Sequence, residues 1–97
     1  DAIEGVLRWQ QETFGDRRNV RGCLAHMIQE AEECLEAFEN GTRDDLEKEF
    51  ADVIFMALQG LDLIGSDAAT ALTKKLRIVG DRTYLPPDAQ GVMRHSK

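Results

Sequence analysis

The sequence predicts an all-α protein, an up-and-down bundle of about four helices that assembles with further copies of itself. Three observations point there. Apolar residues recur at three- and four-residue spacing over long stretches, which is the period of an amphipathic helix. No alternating apolar–polar run is long enough for a convincing strand. The only prolines, Pro86 and Pro87, lie near the C-terminus, so none interrupts the helical stretches before them.

The first helix is expected over Ala2–Thr13, where Ile3, Val6, Leu7 and Gln10 share a face, and Phe14-Gly15-Asp16 ends it. An Arg-rich loop runs to Gly22. The second helix is expected from about Cys23 to Asn40, with Leu24, Ile28, Ala31, Leu35 and Phe38 as its apolar stripe and Gly41 as a left-handed stop. Thr42 suits the N-cap of the third helix, and Asp44 and Asp45 favour its first turn. Phe50, Ile54, Ala57, Leu61 and Ile64 line that helix up to Gly65. Ser66 is the expected cap of the fourth, with Ala68, Leu72, Leu76 and Val79 along one side and Gly80 at its end. The turn-rich segment from Asp81 to Lys97 is expected to be irregular. Short loops between long helices favour antiparallel neighbours.

At 97 residues and 10.9 kDa the chain is expected to be one domain, residues 1–97, or a fragment of one. Such a chain buries roughly 65% of its unfolded surface, so its core is modest and partner subunits, a homodimer or homotetramer, are expected. Hydrophobic residues at 42% and charged residues at 31% suit a globular protein and not a disordered tail. A net charge of −6 argues against binding along a nucleic-acid polymer, which needs Lys and Arg to replace counterions. No apolar run approaches the roughly 20 residues of a membrane span. Cys23 and Cys34 form no CxxC pair and read as free thiols of a cytoplasmic protein.

The charge is unevenly spread. Between Glu30 and Asp52 lie ten acids and two bases, a local charge of −8; the rest of the chain carries +2. Within the block, Glu30 and Glu33 are three apart on the second helix, and Glu49 and Asp52 three apart on the third. Residues at i and i+3 share a helix face. If the chain reverses at Gly41, four carboxylates converge. Two like charges 5 Å apart repel by roughly 3 kcal/mol at an effective dielectric near 20. Hard divalent cations with oxygen ligands, Mg²⁺ or Mn²⁺, remove that conflict. A solvated acidic face, on a non-catalytic helical oligomerisation or binding module, is the other reading of the same spacing.

The run Glu30-Ala31-Glu32-Glu33-Cys34-Leu35-Glu36-Ala37-Phe38, followed by Glu49-Phe50-Ala51-Asp52-Val53, resembles the all-α, MazG-like nucleoside triphosphate pyrophosphohydrolases, whose signature is EExxE on one helix and ExxD on the next. Two registers fit. The literal one uses Glu32, Glu33 and Glu36. Aligning the apolar flank Leu35-Glu36-Ala37-Phe38 instead puts Gln29-Glu30 at the first pair and Glu33 third; this register is preferred. Trp9, Thr13-Phe14-Gly15, Gly22 and His26, and at the far end Lys75-Leu76, Arg82-Thr83-Tyr84, Pro87-Asp88, Gly91-Val92 and His95, resemble the dATP/dGTP branch, phage MazZ-type enzymes included. The chain departs from many relatives at Val79, where Asn is usual, and at Tyr84, where Trp is common.

The resemblance implies metal-dependent cleavage of dGTP or dATP between the α and β phosphates, with two or three Mg²⁺ or Mn²⁺ per site, in pool cleansing or in supplying dGMP for a phage genome. It implies Glu30, Glu33, Glu49 and Asp52 as metal ligands and Glu33 or Glu36 as the acceptor of the attacking water's proton. Lys75 and Arg82 are candidates for the phosphates; Trp9, Phe14 and His26 for the base, sugar or phosphate. Hydrolases of dUTP or phosphoribosyl-ATP share the acidic motif. A di-iron protein of the ferritin type needs Glu-x-x-His pairs, and neither His26 nor His95 has an acid three residues before it.

Overall fold

The computed structural model describes residues 1–96; Lys97, the last residue of the expected tail, lies outside the described residues. Four helices follow one another: α1 (Ala2–Phe14), α2 (Val20–Asn40), α3 (Arg43–Leu63) and α4 (Ala68–Gly80), with a 3₁₀ turn at Gly15–Arg17 before α2. α2 starts three residues earlier than the apolar stripe indicates, because the Asn19 side chain accepts a hydrogen bond from Gly22 N–H at 2.8 Å and caps it there.

α2 and α3 form the antiparallel pair that carries most of the packing. Cys23 donates its thiol to Met56 O at 3.1 Å near one end of the pair. The connection near the other end is only Gly41-Thr42. Gly41 is extended, at φ −107° and ψ −168°, and not the left-handed stop expected of it. Its requirement is space: a Cβ there would sit 2.9 Å from Ala37 O. Thr42 caps α3 as expected. Its hydroxyl accepts from Asp45 N–H at 3.1 Å while the Asp45 carboxylate accepts from Thr42 N–H at 3.0 Å. Those bonds hold the Asp45 carboxyl below its ordinary range.

α1 packs on α3. Gln10, entirely buried, donates its amide to Phe55 O at 2.8 Å. Arg18 joins the two regions from the loop, pairing with Asp62 at 2.9 Å.

α4 departs from the up-and-down arrangement: the chain turns by 104° between α3 and α4. Gly65 takes φ +79°, and Ser66 N–H reaches back to Leu61 O at 2.9 Å. Ser66 thus still belongs to the end of α3, and the cap of α4 moves from the expected Ser66 to Asp67, which accepts from Thr70 N–H at 3.0 Å. Among the described residues the tail forms no helix or strand, but it folds back on itself. Leu85 N–H bonds Arg94 O and Ser96 N–H bonds Thr83 O, both at 2.8 Å, so Thr83–Ser96 doubles back as a small hairpin with a bridge at Tyr84 and His95.

The apolar core within one chain is thin. Among the described residues only Cys23, Leu58 and Ala68 are buried hydrophobics, whereas Phe38 is 71% and Leu76 68% exposed. The chain exposes 7682 Å², against about 5,600 Å² for a folded monomer of this mass. Its radius of gyration is 15.7 Å, against about 12.5 Å for a compact domain of this length. Among the described residues no single helix is long and apolar enough to cross a membrane.

Candidate metal and nucleotide site

The antiparallel pairing of α2 and α3 brings the acidic positions together. Ligand atoms of Glu30, Glu49 and Asp52 lie within 4.8 Å of one another. Glu33, one turn on from Glu30, is near enough to both Glu30 and Glu49 to push their carboxyls upward. Glu32, which belongs only to the literal motif register, is exposed. The arrangement therefore follows the register in which Glu30 and Glu33 form the α2 pair.

Burial is what separates this cluster from an ordinary acidic surface. Glu30 is only 8% exposed. One carboxylate oxygen of Glu30 and one of Glu49, Oε2 in each, are buried without a hydrogen-bond partner. Burial pushes the Glu30 carboxyl above its ordinary range, as do the Glu33 contact and the charges of Glu33 and Asp52; the nearby His26 opposes them. Glu49 is raised for the same reasons, burial first, then Glu33 and Asp52. His26 Nε2 lies 2.9 Å from Glu30 Oε1, one turn away on α2. Orphaned, buried anionic oxygens with one exposed histidine nearby are a donor set suited to hard divalent cations.

His26 also lines a cavity of about 240 Å³ enclosed by the end of α1, the following loop, α2 and α3. Phe14, Cys23, Met56 and Gln59 share its wall. Phe14 and His26 are thus brought together. Trp9 stands edge-on to Phe14 at 5.5 Å and to Phe55 at 6.1 Å, backing the cavity wall. Glu36 is exposed, accepts from Asn40 at 3.1 Å, and shares with Glu33 and Glu49 a groove at the rim of the cluster.

Lys75 and Arg82 are not brought to the acids of their own chain. Lys75 lies in a groove at the start of α4 with Ser66, Asp67, Thr70 and Lys74. Arg82 follows α4 directly, its N–H bonded to Val79 O at 3.2 Å. Neither forms an ion pair with a carboxylate among the described residues. Sequence reasoning did not single out Gln59. Its spacing held the signal: Asp52, Met56 and Gln59 fall at i, i+4 and i+7 and so share one face of α3.

A family model described as the MazG nucleotide pyrophosphohydrolase domain matches residues 18–78. No curated protein matches the sequence at a significant level. Among solved structures, the chain is similar to a cyanophage S-2L MazG-like pyrophosphohydrolase bound to dGDP and three catalytic Mn²⁺ ions per active site. The two are 26% identical, with a TM-score of 0.71, over 98% of this chain and 89% of that one.

Proposed function

We propose that this chain, which belongs to the MazG nucleotide pyrophosphohydrolase family, hydrolyses dGTP and dATP between the α and β phosphates. The activity class, hydrolysis of a nucleotide anhydride, comes with the family. The purine deoxynucleotide preference draws on the dGDP carried by the cyanophage relative and on the Phe14–His26 and tail elements described above.

The observation that carries the reading is the buried cluster on α2 and α3, with its unpartnered Glu30 and Glu49 oxygens. A solvated acidic face, the alternative for a binding module, leaves such oxygens in water. Glu30, Glu33, Glu49 and Asp52 would hold Mg²⁺ or Mn²⁺, two or three ions per site. When bound, these ions supply positive charge opposite the polyphosphate and lower the pKa of water in the site.

The chain's own groups do the rest. His26 holds Glu30 in orientation through the Oε1 contact. The acidic rim at Glu33 and Glu36 accepts the proton of the attacking water. Water adds at the α phosphorus, the anhydride bond to the β phosphate breaks, and deoxynucleoside monophosphate and pyrophosphate leave. No covalent intermediate is involved.

Lys75 and Arg82 contact the phosphates from a neighbouring copy in a homodimer or homotetramer. The excess surface of roughly 2,000 Å² over a monomer of this mass supports that assembly. The substrate is the free nucleotide of the cytoplasm, and the dGMP formed either clears the pool or feeds genome synthesis. The test is metal-dependent pyrophosphate release across dNTPs, NTPs and dUTP, with EDTA controls. Turnover of dUTP alone overturns the purine preference.

A further inference from the structure

We propose that Gln59 reads the nucleobase: its buried side-chain amide hydrogen-bonds the base edge of the nucleotide whose phosphates lie at the acidic cluster. This rests on the function proposed above and names the residue that selects within it.

The polar groups around the cavity are nearly all engaged. Arg18 is paired with Asp62 at 2.9 Å and donates to Gly15 O at 3.0 Å. Arg17 donates to Thr13 O at 2.6 Å and to Phe14 O at 3.3 Å. His26 faces Glu30, Asn19 caps α2 and the Cys23 thiol is held by Met56 O. Gln59 differs. It is 7% exposed and lines the cavity, yet its amide has no hydrogen-bond partner among the described residues. Nor are its atoms sealed from solvent as Gln10 Oε1 is. An amide unpaired within the chain and open to a cavity is free to hydrogen-bond a ligand that enters it.

Its position suits the role. Asp52 and Gln59 lie on one face of α3, seven residues and so about 10 Å apart along the axis. A sugar and a base span that gap when the phosphates sit at Asp52. His26, touching both the cluster and the cavity, lies between. Phe14 and Met56 provide apolar walls for a flat ring. The amide presents a donor and an acceptor side by side, which matches a base edge bearing one of each.

The experiment compares kcat and KM for dGTP, dATP and the triphosphate of unsubstituted purine deoxyriboside, on wild type, Gln59→Leu and Gln59→Glu. On wild type, the unsubstituted purine should lose roughly 5- to 150-fold in kcat/KM against the preferred base. Gln59→Leu should lose a similar factor for the preferred base and nothing further for the unsubstituted one. Mn²⁺-dependent thermal stabilisation, which reads the acidic cluster, should be unchanged. Base preference unmoved in both variants overturns the proposal. If the variants fail to fold, equal kcat/KM for all three substrates on wild type overturns it. Absence of any nucleotide turnover by wild type overturns the functional reading, and this inference with it.

Discussion

The α2–α3 pair and the α4–hairpin region differ in how closely they pack. α2 and α3 pack closely enough to bury carboxylates and to hold a cavity beside them, all within one chain. α4 touches little besides α3, and it leaves Leu72, Leu76 and Ile78 exposed, with Leu85 and Met93 on the hairpin beyond. The first region concentrates charge that needs a cation. Both display apolar surface, since α2 also leaves Leu24, Ile28, Leu35 and Phe38 exposed and α3 leaves Phe50 and Ile54. What separates the two regions is the acidic cluster, which among the described residues only the paired helices carry.

The sharpest way to break this division is at Glu49. Glu49→Gln removes a charge from the cluster while keeping its shape, and turnover should fall at least about 100-fold with the helical circular dichroism intact; retained activity would contradict the assignment. On the other side, Leu76→Asp sets a charge into the proposed contact between copies, which costs several kcal/mol if that surface is buried there. Size-exclusion light scattering should then show the single-chain mass of 10.9 kDa, with Mn²⁺ binding retained. An unchanged mass removes α4 from the interface.

Protons and cations compete for the cluster, which sharpens the comparison further. Glu30 and Glu49 are both raised above their ordinary value of 4.5 by burial and by neighbouring acids. The folded state therefore binds more protons than the unfolded one. The stability that protonation gives is complete below about pH 4.5 and is lost as pH rises through the raised folded values. Metal-free protein should lose Tm over that range. The gain from Mn²⁺ should grow over the same range, to about 2.7 kcal/mol at a hundredfold excess over Kd. A pH-independent gain would place the metal elsewhere.

Smaller effects probe the frame. Arg18→Ala breaks the half-buried pair with Asp62 that ties the loop to α3, and should cost about 2 kcal/mol in urea denaturation. Asp67→Ala removes the cap of α4 and should cost about 1 kcal/mol, without altering Mn²⁺ binding.

Much of the α2–α3 region was legible because its signals are local. Thr42 announces the start of α3, and the three-residue spacing of Glu30–Glu33 and Glu49–Asp52 announces shared faces. The course of α4 was not, since a short loop permits an antiparallel return or a right-angle turn, and Gly65 with Ser66 decides between them through backbone bonds. Gln59 was missed as a buried group because glutamine on a helix ordinarily reads as surface. Arg18 and Asp62 are 44 residues apart, and no local pattern pairs them.

The central claim is that the buried carboxylates of α2 and α3 serve nucleotide hydrolysis, and pyrophosphate release from dGTP and dATP with Mn²⁺ or Mg²⁺ tests it most directly. Stoichiometric monophosphate and pyrophosphate, abolished by EDTA, is the predicted result. A folded, metal-loaded protein that releases pyrophosphate from no nucleotide would contradict it.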